Sequence, residues 1–321
     1  MRDDRLLYAA YKSKVFSADK AANLINNHDV VGVSGFTKAG DSKAVLPTFA
    51  ERAGEENIEI TLISGASLGY DTDGSLAKNN ALYKRMPFQV DATLRNEINQ
   101  ENILYIDQHL SETAEQLQNG HLPKIDIAIV EAVGVTEEGH IIPTTSVGNS
   151  ATFLAMAHRI IIEINESVPL AFEGIHDIKV QKAVPHREIL PITSCDSRVG
   201  DPFIKIDPNK VEAIVFTQKP DAPATIAAPD KKTISIAEHL MKFFEDEVEA
   251  GRLGKSLLPL QAGIGKIANA VLAGFLNSPF ENLSMYSEVL QDSTFQLIDS
   301  GKMNFASASS ITVSEECYDK L

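Results

Sequence analysis

Leu257-Leu258-Pro259-Leu260-Gln261-Ala262-Gly263-Ile264-Gly265-Lys266, followed one helix later by Met285-Tyr286-Ser287-Glu288-Val289-Leu290-Gln291-Asp292, reads as a strand, a glycine loop, a helix and a second strand that ends in a carboxylate. A βαβ unit of this kind puts the loop and the carboxylate on the same sheet edge, where α/β proteins keep their chemistry.

The same order recurs nearer the start. Val30 to Val33 is a short apolar run, Ser34-Gly35-Phe36-Thr37-Lys38-Ala39-Gly40 is a glycine-bounded loop, and Ala44, Val45, Phe49 and Ala53 recur at helical spacing. Asp41 is the expected N-cap of that helix. Ile58 to Ile63 alternates as a strand does, and strand-like runs return at Ile103 to Ile106, Ile125 to Val130, Ile160 to Ile164 and Val211 to Phe216. Helical patterns at Leu110 to Leu117 and Ala151 to Ala157 fall between them. Strands alternating with helices predict an α/β fold with mainly parallel sheets.

Lys219 to Asp230 carries three prolines and no steady hydrophobic period, which predicts a linker or crossover. Ile234, Ala237, Leu240, Phe243, Phe244 and Val248 then mark an amphipathic helix ending near Gly251. Glu56 to Ile63 and Glu281 to Glu288 match in order, so the chain reads as an internal repeat with Glu288 opposite the apolar Ile63. The first copy runs to about residue 225 and the second, from about 226, reads as incomplete, with Met303 to Val313 as one more strand and loop.

The 321 residues carry a formal charge of -15 and no basic stretch, so nucleic acid is not expected as a partner. Two cysteines, Cys195 and Cys317, indicate neither a disulfide framework nor a cysteine-rich metal site. The eight histidines form no metal-ligand spacing, and no metal is expected. Neither a signal peptide nor an apolar run of membrane-spanning length is read, so a cytoplasmic protein with no membrane partner is expected.

Gly263-Ile264-Gly265-Lys266-Ile267-Ala268 fits G-x-G-x-x-A between a strand and a helix, with an acid about 20 residues on. An NAD-binding oxidoreductase is therefore one reading. Against it stand the amphipathic helix that precedes the loop, Pro259 within the strand, and a Tyr286 to Asp292 stretch longer than a ribose contact needs.

Leu257 to Val271 and Met285 to Asp292 resemble the acetyl-CoA hydrolase/transferase family of class I CoA-transferases. So do Ser34 to Asp41, Arg85-Met86-Pro87-Phe88-Gln89 and Ile141-Ile142-Pro143-Thr144-Thr145-Ser146-Val147-Gly148-Asn149-Ser150. The resemblance covers nearly the whole chain. It implies two tandem CoA-transferase (NagB/RpiA-like) domains, the second incomplete, with the active site in a cleft between them and a glutamate that forms a covalent thioester with CoA. That glutamate maps to Glu288, and the CoA loop to Gly263, Ile264, Gly265, Lys266 and Ile267.

The implied activity moves CoA between an acyl-CoA and a short-chain acid such as acetate, propionate or succinate. An acetyl-CoA hydrolase and a non-catalytic CoA-binding fragment are the alternatives. No tightly bound cofactor is implied, since CoA is a substrate. A homodimer, or a second chain completing the C-terminal domain, is the expected assembly. Family members continue past residue 321, and little turnover is expected unless something supplies that part. Asp221-Ala222-Pro223-Ala224 holds no arginine for a second carboxylate, which leaves monocarboxylates at least as suitable as succinate.

A carboxylate nucleophile splits one hard exchange into easier steps but must be ionised, positioned and kept from bulk water. Binding energy from the remote parts of CoA supplies positioning. The tetrahedral intermediates need oxyanion donors, and backbone N–H groups near Ile264 and Gly265, at a helix N-terminus, suit that role. Lys266 either attracts a CoA phosphate or sits on the helix surface. The Gly35 to Gly40 loop either lines an acyl pocket or is a plain turn. Thr144, Thr145, Ser146 and Asn149 either bind substrate or serve a hairpin and a helix cap.

Overall fold

The computed structural model describes residues 3–222 and 229–320. Of the expected linker, residues 223–228 lie outside the described residues. The chain divides into two compact units, residues 1–189 with 199–222, and residues 190–198 with 223–321.

The first unit is built on one sheet whose strands are β1 (Val30–Val33), β2 (Ile60–Ser64), β3 (Leu82–Met86), β4 (Leu104–Tyr105), β5 (Ile127–Val135), β6 (Ile141–Pro143), β7 (Arg159–Asn165) and β8 (Val211–Thr217). They run in the order β4-β3-β2-β1-β5-β7-β8, all parallel along that path, while β6 pairs antiparallel with β5. The order reverses between β1 and β5, and such a switch point opens a crevice at the strands' C-terminal ends.

The central strands read as unbroken apolar runs because both faces are covered. Ile127 and Ile129 of β5 share a core with Val45, Leu46, Phe49, Ala50 and Ala53 of the helix Val45–Glu56. Ala128 and Val130 point the other way, into a second core with Phe153 and Leu154 of the helix Ser150–Met156. Gly32 of β1 has no side chain because that second helix lies close: a Cβ there would sit 3.0 Å from Ile125 Cδ1 and 3.2 Å from Phe153 Cγ.

β3 and β6 are additions to the strands expected from apolar runs. In β3 the residues Tyr83-Lys84-Arg85 mask the pattern. Arg85 is nevertheless fully buried, its Nε 2.9 Å and Nη2 3.2 Å from the two carboxylate oxygens of Asp73.

The second unit packs the helices Lys231–Glu249, Lys266–Gly274 and Asp292–Asp299 with two parallel strands, β9 (Leu283–Leu290) and β10 (Met303–Ile311). Phe275 and Phe280 join Leu283, Met285, Leu290 and Leu297 in its core, with Phe244 packed against them. Asp230 caps the longest helix, accepting from Lys232 and Thr233 N–H, while Thr233 Oγ1 accepts from Asp230 N–H. Residues 190–198 belong to this unit and reach β9 through Cys195 Sγ, 3.6 Å from Ser284 Oγ.

The strand expected before the glycine loop is reduced to one residue. Leu260 alone pairs with Met285, as an isolated parallel bridge. Leu257 has φ 57° and Pro259 lacks an N–H, so neither extends a ladder. Glu288 also falls short of the strand's end, which is Leu290.

Candidate active site

In the second unit, the glycine loop lies along β9. Leu260 N–H donates to Ser284 O at 2.8 Å and Tyr286 N–H to Leu260 O at 2.9 Å. Beyond that point the backbone ladder gives way to side-chain contacts. Ser287 Oγ accepts from Ala262 N–H at 3.3 Å and donates to Ala262 O at 3.0 Å. Gln291 Nε2 donates to Gly263 O at 3.0 Å. The two residues that grip the loop therefore bracket Glu288, which is itself exposed.

Gly265 occupies the N-cap position of the helix Lys266–Gly274 with φ 127°, a conformation that favours glycine, and no side chain among the described residues caps that helix. Its first N–H groups are thus open, and nothing within 4 Å would meet a Cβ on Gly263 or Gly265. Ile264 and Ile267 are exposed beside them. The structure brings Gly263, Ile264, Gly265 and Ile267 together at one helix N-terminus, alongside the strand that carries Glu288.

Lys266 is engaged elsewhere. Its Nζ lies 2.7 Å from Asp230 Oδ2, and this contact, with Thr233 N–H, holds the Asp230 carboxyl down at about 2. The pair joins the starts of two helices in the same unit.

The first unit holds a cluster of charges at the switch point between β1 and β5. Lys43 is wholly buried, its Nζ 2.6 Å from Glu131 Oε1, 2.8 Å from Asp221 Oδ1 and 3.8 Å from Asp41 Oδ1. Glu131 also accepts from Thr144 Oγ1 and Asn165 Nδ2, each at 2.7 Å. Asp221 accepts from Gly40 N–H at 3.0 Å and from the Thr145 hydroxyl.

Asp41 is not the helix N-cap. It accepts from Gly69 N–H at 2.9 Å, across the β2 loop. The cap is Glu163 of β7, whose carboxylate accepts from the Ser42 hydroxyl and from the N–H groups of Lys43, Ala44 and Val45. A carboxylate carried in from a neighbouring strand satisfies donors that a local cap would otherwise meet, and complements the helix dipole.

Most of the polar residues singled out in the first unit are thereby occupied within it. Thr144 and Thr145 serve Glu131 and Asp221, Ser146 Oγ donates to Ala39 O at 2.8 Å, and Asn149 stands at a helix N-cap without a side-chain bond. Phe36 and Ala39 exchange backbone bonds around Thr37 and Lys38, both at positive φ, so the centre of the Gly35 to Gly40 loop is a tight turn.

Burial raises Glu131 to about 8 despite Lys43, and raises Asp41 to about 6. Burial alone would lower Lys43, but Glu131, Asp41 and Asp221 carry it well above its ordinary value. The two carboxyls' ordinary values are 4.5 and 3.8, so between those values and their folded ones the native state holds more protons than the unfolded chain. Their contribution is complete below the ordinary values and is lost as pH rises through about 6 and then about 8. Melting temperatures measured from about pH 5.5 to about pH 8.5 are expected to fall, and Glu131→Gln to flatten the upper part of the fall. A wild-type profile that rises over this interval would contradict the assignment.

The family model for the acetyl-CoA hydrolase/transferase N-terminal domain matches residues 1–216. The chain belongs to this family. It is 42% identical over 316 residues to a succinyl-CoA:acetate CoA-transferase from Clostridium kluyveri, covering 98% of this chain and 59% of that protein. It is 39% identical over 327 residues to an acetyl-CoA hydrolase from Schizosaccharomyces pombe, covering 98% and 63%. The chain thus spans about three fifths of the length of these relatives.

Among solved structures, RipA from Yersinia pestis superposes with a TM-score of 0.69 at 17% identity, covering 98% of this chain and 67% of that one. A 4-hydroxybutyrate CoA-transferase from Porphyromonas gingivalis gives 0.60 at 19% identity, covering 97% and 65%. At these identities the likeness concerns the fold, which is α/β with a mostly parallel sheet as expected. No helix among the described residues is long and apolar enough to cross a membrane.

The Lys43 cluster is not among the residues that motif and spacing single out in this family member. Its signal in the sequence is that Glu131 and Glu163 each interrupt an apolar run, Ile127 to Val135 and Ile160 to Ile164, and a charge is rarely buried there without a partner.

Proposed function

We propose that this chain carries the nucleophile of a CoA-transferase that moves CoA between an acyl-CoA and a short-chain carboxylic acid, with Glu288 as the catalytic carboxylate and Gly263, Ile264, Gly265 and Ile267 as the CoA loop. The observation that carries the proposal is the exposed Glu288 on β9, bracketed by the two side chains that hold the loop beside it. The transferase relative, similar over nearly the whole chain, supports it.

One Glu288 oxygen attacks the thioester carbonyl carbon. The C–S bond breaks, leaving a glutamyl-acyl anhydride and CoA thiolate. The thiolate then attacks the glutamyl carbonyl, forming glutamyl-CoA and releasing the acyl group as its carboxylate. A second acid takes CoA by the reverse steps, with no net proton change. Backbone N–H groups at the start of the helix Lys266–Gly274 lie in open positions suited to the oxyanion of each tetrahedral intermediate.

The units on either side of about residue 225 are the two tandem CoA-transferase domains in this proposal, working in the cytoplasm as a dimer with no tightly bound cofactor. A hydrolase is the second reading, favoured by the acetyl-CoA hydrolases among the relatives. The two differ in whether water or an acid resolves the intermediate.

Incubation with acetyl-CoA or succinyl-CoA followed by borohydride is expected to leave a reduced side chain at Glu288, seen by peptide mass spectrometry. An unmodified Glu288 peptide from folded protein supplied with the part that family members carry past residue 321 counts against the mechanism. Lys266, tied to Asp230, is expected to contribute little to CoA affinity: Lys266→Met changes KM by less than about threefold, as for a rim charge.

A further inference from the structure

We infer that Gln291 is a positioning residue for this reaction: its amide sets the direction in which the Ile264 N–H points. The inference rests on the transferase proposal for its consequence, and on geometry for its cause.

Gln291 is 1% exposed, at the junction of β9 and the helix Asp292–Asp299. Its Nε2 donates to Gly263 O at 3.0 Å, while its Oε1 is buried and has no hydrogen-bond partner among the described residues. A buried amide with one half unpartnered is costly, and an apolar residue of the same size avoids that cost. What the amide contributes is its donor, and that donor is aimed at the glycine loop.

The Gly263–Ile264 peptide is trans, so its C=O and N–H point in opposite directions. Anchoring the carbonyl on Gln291 turns the Ile264 N–H away from β9's core end, to the side where Gly263 and Ile264 are exposed. Turning this peptide plane changes ψ of Gly263, which glycine leaves unrestricted, and φ of Ile264, which a β-branched residue confines to negative values, so the plane can swing without a full flip. Ser287 fixes the preceding residue, Ala262, but not this plane. Without Gln291, the donor swings over the range that ψ of Gly263 allows.

Gln291→Met keeps the volume and removes the donor. Gln291→Glu keeps the shape and donates only when its carboxyl is protonated. Hydrogen exchange reads loop order directly, and the rate of glutamyl thioester formation at Glu288 reads its consequence. In Gln291→Met, exchange at Ala262, the loop amide that donates to Ser287 Oγ, is expected to rise at least about tenfold while the helix Lys231–Glu249 is unchanged. Thioester formation is expected to slow by about 10- to 100-fold with KM for the acyl-CoA held within about threefold. In Gln291→Glu both readouts are expected to recover as pH falls, and in Gln291→Met neither.

Loop exchange equal to wild type in both variants would overturn the inference, as would identical pH behaviour of the two. Thioester formation unaffected by a disordered loop would overturn it too. A wild-type protein that never labels Glu288 even when supplied with the part that family members carry past residue 321, with loop exchange responding as described, rejects the transferase proposal and leaves the positioning of Ile264 standing.

Discussion

Glu288→Gln is expected to abolish the covalent intermediate and to reduce exchange of labelled acetate into acetyl-CoA by on the order of 10⁶-fold, the scale on which nucleophile removal acts in covalent enzymes. The carboxamide keeps the volume and hydrogen-bonding shape of the side chain, but it neither forms the anhydride nor carries CoA as a thioester. Because Glu288 is exposed on β9, the fold should barely register the change, within about 0.5 kcal/mol. The informative comparison is with Glu288→Asp. The shorter carboxylate retains the chemistry and withdraws the nucleophile by about one carbon–carbon bond, a displacement that costs about 100-fold when reacting groups must be aligned. Mass spectrometry should find a slow thioester in Glu288→Asp and none in Glu288→Gln. A wild-type exchange rate in Glu288→Gln would move the nucleophile elsewhere.

What the sequence discloses depends on how local the cause is. β1, β7 and β8 are apolar runs flanked by turn signals, and their observed limits lie within a residue of the runs. The helix Lys231–Glu249 is equally legible because its apolar stripe and its capping Asp230 both lie in the local sequence. β3 is not, since Arg85 is buried through Asp73, twelve residues away in the chain, and no window over Leu82–Met86 contains that partner.

The same rule separates the two candidate centres. Gly263 to Ile267 and Glu288 belong to one βαβ-like unit, so their spacing alone suggested proximity. The first unit's cluster draws on Asp41, Lys43, Glu131, Glu163 and Asp221, which come from two loops and two strands spread over most of that unit. Asp41 illustrates the failure: its position before a helix predicts a cap, but Glu163 arrives from β7 to fill that role. Leu257–Leu260 fails for the opposite reason, because apolar composition suggested a strand that positive φ at Leu257 and the ring of Pro259 prevent.

The second large effect is expected from Lys43→Met. The lysine is the cation among three carboxylates, all at least nine-tenths buried, and it lies within 4 Å of each. Removing one partner of a buried ion pair costs about 3–5 kcal/mol because the remaining charge is left without compensation. Methionine fills the volume of the stem, so the loss is electrostatic rather than a cavity. The carboxyls have one response available, which is to take up protons. Glu131 and Asp41 already titrate high through burial, and without the ammonium they move further up. The variant's deficit in urea midpoint should therefore be largest near pH 8 and shrink toward about pH 5, with a steeper pH dependence than wild type. Adding Glu131→Gln to Lys43→Met should restore about 1–3 kcal/mol, since residues in contact are not additive and the second change removes the stranded charge. If the double variant is no more stable than Lys43→Met at pH 8, uncompensated charge is not what the lysine prevents, and its contacts with Asp41 O and Asp221 would carry the stabilisation instead.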